Sequence, residues 1–596
     1  MPSTLEPGST LTPGPVFRLA LFFGLATGLL EIIIRGVQYG ALGQLIRMSP
    51  QMTWMAPLAD VAIFLVLATI AGVAARAGLP IRLRPVLGVF LFTAAIGPIL
   101  FIPRLHTIAK VLLTAGAASV ASGILAASPG RVRRWERRLL PIVVALLVIA
   151  NLAVPVRIRI REYRAATRTV QATDGAPNVV LIVWDTVRRQ GLHLYGGARP
   201  NTPFLDSLAT GGTVFDRAFS TAPWTLPTHA SIMTGYYHHQ LSTDWTTALD
   251  NRYPTLAEVL GQRGYGTGGF VANYLYTTRD TGLNRGFDHY EDFPVTFRNI
   301  LRTSFLARRV AGTIVEARDF RALLVRKFAP TVRREFLQWL DRQPAERPVF
   351  AFLNYMDAHG PFVPPPPFDT LFGPATGRRT PSDSGPWTPG QLAAERLAYE
   401  ASIAVLDDDL RQLLRGLDTR GRLDNTILIV VGDHGELFGE HGINAVSHGS
   451  SLYVQETLVP LIILGPGVAE GRRIAEPVTL ADLPATILAL TGTPNPGLPG
   501  SNLADLWTDA ANGRPRAAIS QVNYHRLLRP DLPVGKGSMV SVATGRFHLI
   551  RRGDGVEELY DLDADLTERH DLIETVPRDT LDYVRGILDG VLAQTR

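Results

Sequence analysis

Five long apolar runs occupy the first quarter of the chain, at 16–34, 55–75, 85–102, 111–127 and 139–156. A spanning helix needs roughly 20 apolar residues, with about 17 as the lower limit. Each run therefore predicts a membrane-spanning helix. The last three lie near the limit, where a re-entrant or bundle-buried segment is the competing reading. From Asn178 onward the pattern changes to short, unalternated apolar runs separated by helical stretches. Residues 178–184 end in Asp185, and residues 349–355 are followed by Asp357 and His359. Residues 426–431 run into Gly432-Asp433-His434-Gly435-Glu436, and residues 459–464 end in Gly-Pro-Gly. Unalternated strands between helices predict an α/β fold with a parallel sheet covered on both faces. Sites in such sheets form at the carboxyl ends of strands. Three of these strands deliver Asp or His there, from positions far apart in sequence.

Charge divides the chain at the same place. Residues 1–175 hold 18 of the 59 Lys and Arg but only 6 of the 53 Asp and Glu. The basic balance belongs to the apolar part, and no basic face interleaved with aromatics points to nucleic acid. The loop 131–138 carries five arginines, and Arg76, Arg82 and Arg84 lie between the second and third runs. The positive-inside rule places both loops in the cytoplasm and, after five spans, the C-terminal part outside. Arg157, Arg159, Arg161, Arg164 and Arg168 run against that rule, and anionic headgroups would receive them. Glu31 and Arg35, four residues apart, read as an interfacial ion pair. The chain contains no cysteine, which excludes disulfides, thiolate metal sites and a cysteine nucleophile.

The segment 223–235, Pro-Trp-Thr-Leu-Pro-Thr-His-Ala-Ser-Ile-Met-Thr-Gly, predicts a helix with Pro227 in its first turn and Gly235 at its end. Thr225 is then either an N-cap or a nucleophile whose anionic reaction partner sits on the helix N-terminus. A threonine hydroxyl needs activation, which a divalent metal supplies. Asp185, Asp433 and His434 are the candidate ligands together with Thr225. Two carboxylates and one imidazole favour Zn²⁺ or Mn²⁺, with Ca²⁺ and Mg²⁺ as alternatives.

Together these residues resemble the sulfatase family of the alkaline phosphatase superfamily, over about 180–575. Residues 178–188 resemble its opening strand and first metal ligand, and 199–206 the segment after it. Residues 225–235 resemble the nucleophile motif, and Tyr355-Met-Asp-Ala-His-Gly-Pro-Phe362 the loop whose histidine contacts the ester. Residues 432–436 and 439–442 resemble the second ligand region. Ser447-His448-Gly449 resembles the segment with a basic residue near the ester, and 559–568 the C-terminal signature. Four positions depart from the pattern. Thr225 stands where the Cys or Ser that becomes formylglycine is usual, and threonine cannot yield that aldehyde. His229 replaces an arginine, Thr186 the second carboxylate of the opening pair, and His434 an asparagine. These departures resemble lipoteichoic acid synthase and phosphoethanolamine transferases, which have a threonine nucleophile, one Zn²⁺ or Mn²⁺ and a membrane bundle.

The resemblance implies an alkaline-phosphatase-like sandwich with a central, mostly parallel sheet, preceded by an all-α transmembrane bundle. The expected domains are 1–175, with about five spans, 176–515, catalytic, and 516–596, a C-terminal subdomain. It implies catalytic roles for Thr225, His359 and His448, with His229 a further candidate, and one metal on Asp185, Thr225, Asp433 and His434. Glu436, Glu440 and His441 read as supporting or loop residues. The expected partners are membrane lipids and a phospho- or sulfo-ester, lipid-linked or glycan. The expected location is a bacterial plasma membrane with the catalytic part extracytoplasmic. The arginines in 298–347 read as a solvated helical face, or as a surface for anionic lipid. A sulfuric ester hydrolase and a catalytically inactive envelope protein are the alternatives.

Overall fold

In the computed structural model the five apolar runs are helices: α1 (Pro13–Gly40), α2 (Met52–Arg76), α3 (Leu83–Leu100), α4 (Thr107–Ala126) and α5 (Pro129–Ala166). The structure describes residues 10–41, 45–46, 51–100, 105–166, 172, 175–293, 295–314, 326–373, 377–378, 385–508, 516–526 and 528–594. All five helices are long and apolar enough to cross a membrane. The chain forms two compact units, 1–161 with 293–316, and 162–292 with 317–596.

In the first unit α1 and α2 approach closely through glycines. A Cβ on Gly24 would lie 2.6 Å from the Val61 Cα, and one on Gly28 2.4 Å from the Pro57 Cα. Small residues of this kind let membrane helices bring their backbones into contact. Phe23, Phe64 and Phe90 join α1, α2 and α3 through an aromatic cluster with ring centroids 5.3–6.1 Å apart. Asn151 of α5 hydrogen-bonds Thr53 of α2 at 3.0 and 3.2 Å. The Glu31–Arg35 pair is present at 3.7 Å, but it is buried rather than interfacial, with 1% and 3% of its side chains exposed. The reason is the segment 293–316, which packs onto this unit. Glu31 accepts the Phe305 N–H at 2.9 and 3.0 Å, at the start of the helix Phe305–Ile314. Arg35 donates to the Thr303 carbonyl at 2.5 Å and lies over the Phe305 ring. A carboxylate on free N–H groups at a helix start satisfies both the donors and the helix dipole.

The second unit is built on a nine-stranded sheet. Its strands are β1 (Asn178–Trp184), β2 (Gly212–Phe219), β3 (Gly266–Val271), β4 (His289–Glu291), β5 (Val349–Tyr355), β6 (Thr426–Gly432), β9 (Leu458–Leu464), β10 (Arg472–Ile474) and β11 (Val478–Thr479). The hairpin strands β7 (Leu437–Phe438) and β8 (Val446–Ser447) pair only with each other. The order is β10-β2-β9-β6-β1-β5-β3-β4, with β11 beside β2. Every residue of β1, β5, β6 and β9 is buried, as their continuous apolar character requires. Val180, Ile182 and Trp184 of β1 meet Val332, Phe336 and Trp339 of the helix Ala329–Leu340 and Ile403, Leu406 and Leu410 of the helix Pro389–Asp418 in one core. Each such side chain contributes about 1.5–3 kcal/mol by leaving water. The sheet is parallel except at β9, which is antiparallel to both β6 and β2. The sequence reading of four parallel strands is thus corrected at 458–464. Between β6 and β9 lie the β7–β8 hairpin and a four-residue helix, Val454–Thr457. No crossover helix is available there to return the chain for a parallel strand.

The C-terminal residues add a four-stranded antiparallel sheet, β12 (Ala517–Val522), β13 (Met539–Thr544), β14 (Phe547–Arg551) and β15 (Glu557–Asp561). One face is covered by Leu581, Val584 and Leu588 of the helix Arg578–Gln594. The arginine-rich stretch is not a uniformly solvated face. Arg302, Arg326 and Lys327 are buried, and Arg333 pairs with Asp409 at 2.8 Å, while Arg309 and Arg334 are exposed.

Replacing Glu31 by Ala leaves Arg35 buried without its carboxylate and uncaps the helix at Phe305, a loss of about 3–5 kcal/mol for a broken buried pair. Limited proteolysis of the full chain in detergent is expected to cut within 293–316 faster in this variant. A cleavage rate equal to that of the unaltered chain contradicts the clamp.

Candidate functional site

The carboxyl ends of β1 and β6 are adjacent, because Trp184 pairs with Gly432. The residues that follow, Asp185 and Asp433-His434, therefore meet. Each offers a ligand atom within 4.8 Å of the others, and all three are fully buried. Asp433 Oδ1 accepts the Thr186 N–H at 3.0 Å and the His434 N–H at 2.8 Å. Asp185 Oδ2 accepts from Asn273 at 2.8 Å and from Asn354 at 3.4 Å. The other two oxygens, Asp185 Oδ1 and Asp433 Oδ2, are buried with no hydrogen-bond partner. Orphaned buried carboxylate oxygens are costly, and two of them beside an imidazole nitrogen match the donor set of a divalent cation.

The histidine tautomer agrees with this. His434 Nδ1 lies 3.0 Å from the Gly435 carbonyl, so it carries the proton. The Nε2 lone pair is left facing Thr225 Oγ1 at 3.3 Å and Asp433 Oδ2 at 3.5 Å. Burial, and after it the neighbouring Asp185, push Asp433 well above the usual carboxylate range. Burial holds His434 well below the usual imidazole range. Neutral imidazole is the form that ligates metal.

Thr225 is the first residue of the helix Thr225–Thr234, and Trp224 occupies the N-cap position. The hydroxyl therefore caps nothing and turns to His434. Pro227 and Gly235 stand at the start and end of this helix, Gly235 with φ 79°. His229, one turn on, gives its Nδ1 to the Thr225 carbonyl at 2.7 Å. Its Nε2 is 3.5 Å from the Asn354 amide, and the ring is fully buried.

Two further histidines complete the group. His359 follows β5, and its Nδ1 donates to the Gly360 carbonyl at 2.7 Å, leaving Nε2 as the free base. Burial, reinforced by His448 and Arg326, holds its pKa well below the imidazole range. His448 stacks edge-on to His359, with centroids 5.1 Å apart, and lies 4.6 Å from the His434 ring. Burial alone would lower His448, but Glu436, 3.3 Å from Nδ1, outweighs it and leaves the ring more basic than usual. One histidine is thus held neutral and the other favours its charge. Glu440 pairs with Arg188 at 2.8 Å, and His441 stacks on Tyr453 at 3.7 Å.

Several residues around this group escaped the sequence reading. Asn354 is the one amide side chain among the apolar and aromatic residues of β5, and an amide inside an unalternated apolar strand was its signal. Asn273 lies two residues past the end of β3, at the same rim as Asp185 and His359. Arg326 donates to the Met356, Asp357 and Pro361 carbonyls at 2.7, 3.3 and 3.1 Å and so ties down the His359 loop. Its distance in sequence hid it. Trp224 stacks on Trp245 at 5.0 Å and meets His448 edge-on at 5.1 Å, walling one side of the group.

A family model described as Sulfatase matches residues 177–493. Among curated proteins, the chain is 26% identical over 453 residues to the uncharacterized sulfatase YidJ of Escherichia coli (strain K12), covering 67% of this chain and 84% of that one. It is 25% identical over 379 residues to arylsulfatase K of Canis lupus familiaris, covering 56% of this chain and 67% of that one. Among solved structures, the phosphonate monoester hydrolase of Agrobacterium radiobacter superposes with a TM-score of 0.56 at 22% identity, over 70% of this chain and 96% of that one. The phosphonate monoester hydrolase of Silicibacter pomeroyi gives 0.55 at 21% identity, over 70% and 95%. These superpositions bear out the α/β fold with its central, mostly parallel sheet.

The raised Asp433 pKa has a measurable consequence. Between the ordinary carboxylate value and the raised one, the folded chain holds a proton that the unfolded chain has lost, so stability falls as pH rises through that window. Metal-stripped protein is expected to melt at progressively lower temperature as pH rises above the ordinary carboxylate range, and Asp433→Asn to flatten that slope. Added Zn²⁺ or Mn²⁺ is expected to raise the melting temperature of the unaltered chain and not of the variant. Equal metal-induced shifts in both would show that Asp433 is no ligand.

Proposed function

The chain belongs to the sulfatase family, and on that footing we propose that it is a membrane-anchored, metal-dependent enzyme that cleaves or transfers phosphate esters through Thr225. The observation that carries this reading is the Thr225 hydroxyl itself. It opens the segment that resembles the family's nucleophile motif, 3.3 Å from His434 Nε2, beside the two orphaned oxygens of Asp185 and Asp433. A divalent ion held by Asp185, Asp433, His434 and Thr225 would supply the positive charge that favours the ionised hydroxyl and the charge developing on the ester oxygens.

The chain's own groups account for the remaining steps. Thr225 Oγ, having lost its proton to solvent on ionisation, attacks phosphorus, and the bond from phosphorus to the leaving alcohol breaks as the new O–P bond forms. His448, kept basic by Glu436, carries the proton that the leaving oxygen takes, as general acid catalysis requires. His359, neutral with its Nε2 free, takes a proton from the water or alcohol that then releases the phosphoryl group from Thr225. His229 touches the Thr225 backbone rather than its hydroxyl, and its role is to fix the start of the helix. Water makes the enzyme a hydrolase, and a second alcohol makes it a transferase. The favoured substrates are envelope lipid headgroups or glycans. The five apolar helices support an anchor, and the arginine-rich loops support an extracytoplasmic catalytic unit.

The second reading, a sulfuric ester hydrolase, is favoured by the names of the curated relatives. Thr225 stands against it, since it cannot become formylglycine. The two separate on paired substrates. The full chain in detergent with Zn²⁺ or Mn²⁺ is expected to turn over a chromogenic phosphodiester and not the matching sulfate ester. Thr225→Ala is expected to lose about 10³-fold or more of that turnover, a typical cost for a nucleophile. Sulfate ester turnover alone, or full activity in Thr225→Ala, would overturn the proposal.

A further inference from the structure

Thr186 occupies a backbone conformation that its side chain disfavours. It is fully buried, with φ at 61°. A β-branched residue in the left-handed region is a true outlier, and such strain persists only where the surroundings over-determine it. Its polar groups account for that. The N–H donates to Asp433 Oδ1 at 3.0 Å, which fixes one metal-ligand candidate. The carbonyl accepts from the Tyr399 hydroxyl at 3.0 Å, and the same hydroxyl accepts the Arg188 N–H at 2.9 Å. The hydroxyl lies between two backbone carbonyls, 2.7 Å from that of Asp185 and 2.9 Å from that of Ala358, the residue just before His359.

We propose that Thr186 is a positioning residue that sets the His359 loop against the Asp185–Asp433 pair. Its N–H serves the ligand pair and its hydroxyl ties the Asp185 carbonyl to the loop, so the two functions are separable by substitution. The left-handed turn takes the chain out of the extended run of β1 at this point. The hydroxyl points at the Asp185 and Ala358 backbone carbonyls and not at the carboxylates. Thr186 therefore acts on the reaction through His359 and adds nothing to the ligand set. Arg326 holds the same loop from its Met356, Asp357 and Pro361 carbonyls, leaving the Ala358 carbonyl to Thr186. The inference rests on the reading of His359 as a reacting group.

Thr186→Val keeps the shape and the backbone bonds and removes only the hydroxyl, while Thr186→Ser keeps the hydroxyl. In the full chain, Thr186→Val is expected to lose about 10- to 100-fold in kcat, the scale of a misplaced catalytic group. Thr186→Ser is expected to stay within about threefold of the unaltered chain on the same scale. Zn²⁺ affinity by calorimetry should be unchanged in both, and amide exchange in a peptide covering 356–361 should quicken in Thr186→Val. Combined with His359→Ala, Thr186→Val should add no further loss, because both act through one group. Additive losses, reduced Zn²⁺ affinity, unchanged exchange or full activity in Thr186→Val would each overturn the proposal. If His359→Ala is itself fully active, the reading of His359 falls first, and that result is distinct from a failure confined to Thr186.

Discussion

Asp185 and Asp433 are fully buried side by side at the ends of β1 and β6, and the arrangement around them follows from having to place them there. Each carboxylate has one oxygen satisfied by nearby N–H groups and one left bare. Such a pair is tolerable only if a cation joins it or a proton remains on it. The parallel pairing of β1 with β6 brings the two together without any contact between their side chains being needed for folding. Burial of all of β1 and β6 supplies the stability that offsets the cost. His434 and Thr225 then complete one side of the pair, and Asn273 and Asn354 line another.

The layers around this pair divide the work. Three histidine rings stand in contact, with centroids 4.6–5.1 Å apart along the series His434, His448, His359, yet their environments differ. His434 is turned by the Gly435 carbonyl, His359 by the Gly360 carbonyl, and His448 by the Glu436 carboxylate. A backbone carbonyl fixes a tautomer, whereas a carboxylate also stabilises the charged ring. In the proposed reaction that difference separates a ligand and a base from an acid.

Much of this was legible in the sequence, and for a physical reason. Asp185, His359 and Asp433-His434 each follow a continuous apolar run, and the end of a buried parallel strand is where such a residue must emerge. The apolar runs before 160 likewise declared their length. What stayed hidden depends on contacts between distant segments. The Glu31–Arg35 spacing predicted an ion pair, but not that residues 303–305 would bury it. The direction of β9 could not be read from composition, because an antiparallel strand buried on both faces looks the same as a parallel one. The strain at Thr186 left no trace in residue type, since threonine is the last residue expected at positive φ.

The central claim is that Thr225 is the atom donor to phosphorus. The most direct measurement is mass spectrometry of the full chain, loaded with Zn²⁺ or Mn²⁺ and quenched during turnover of a phosphodiester. The account predicts a phosphoryl adduct on the peptide containing Thr225, located to that residue by fragmentation. An adduct on another residue, or turnover with no adduct under conditions that trap the phosphorylated state, would contradict it.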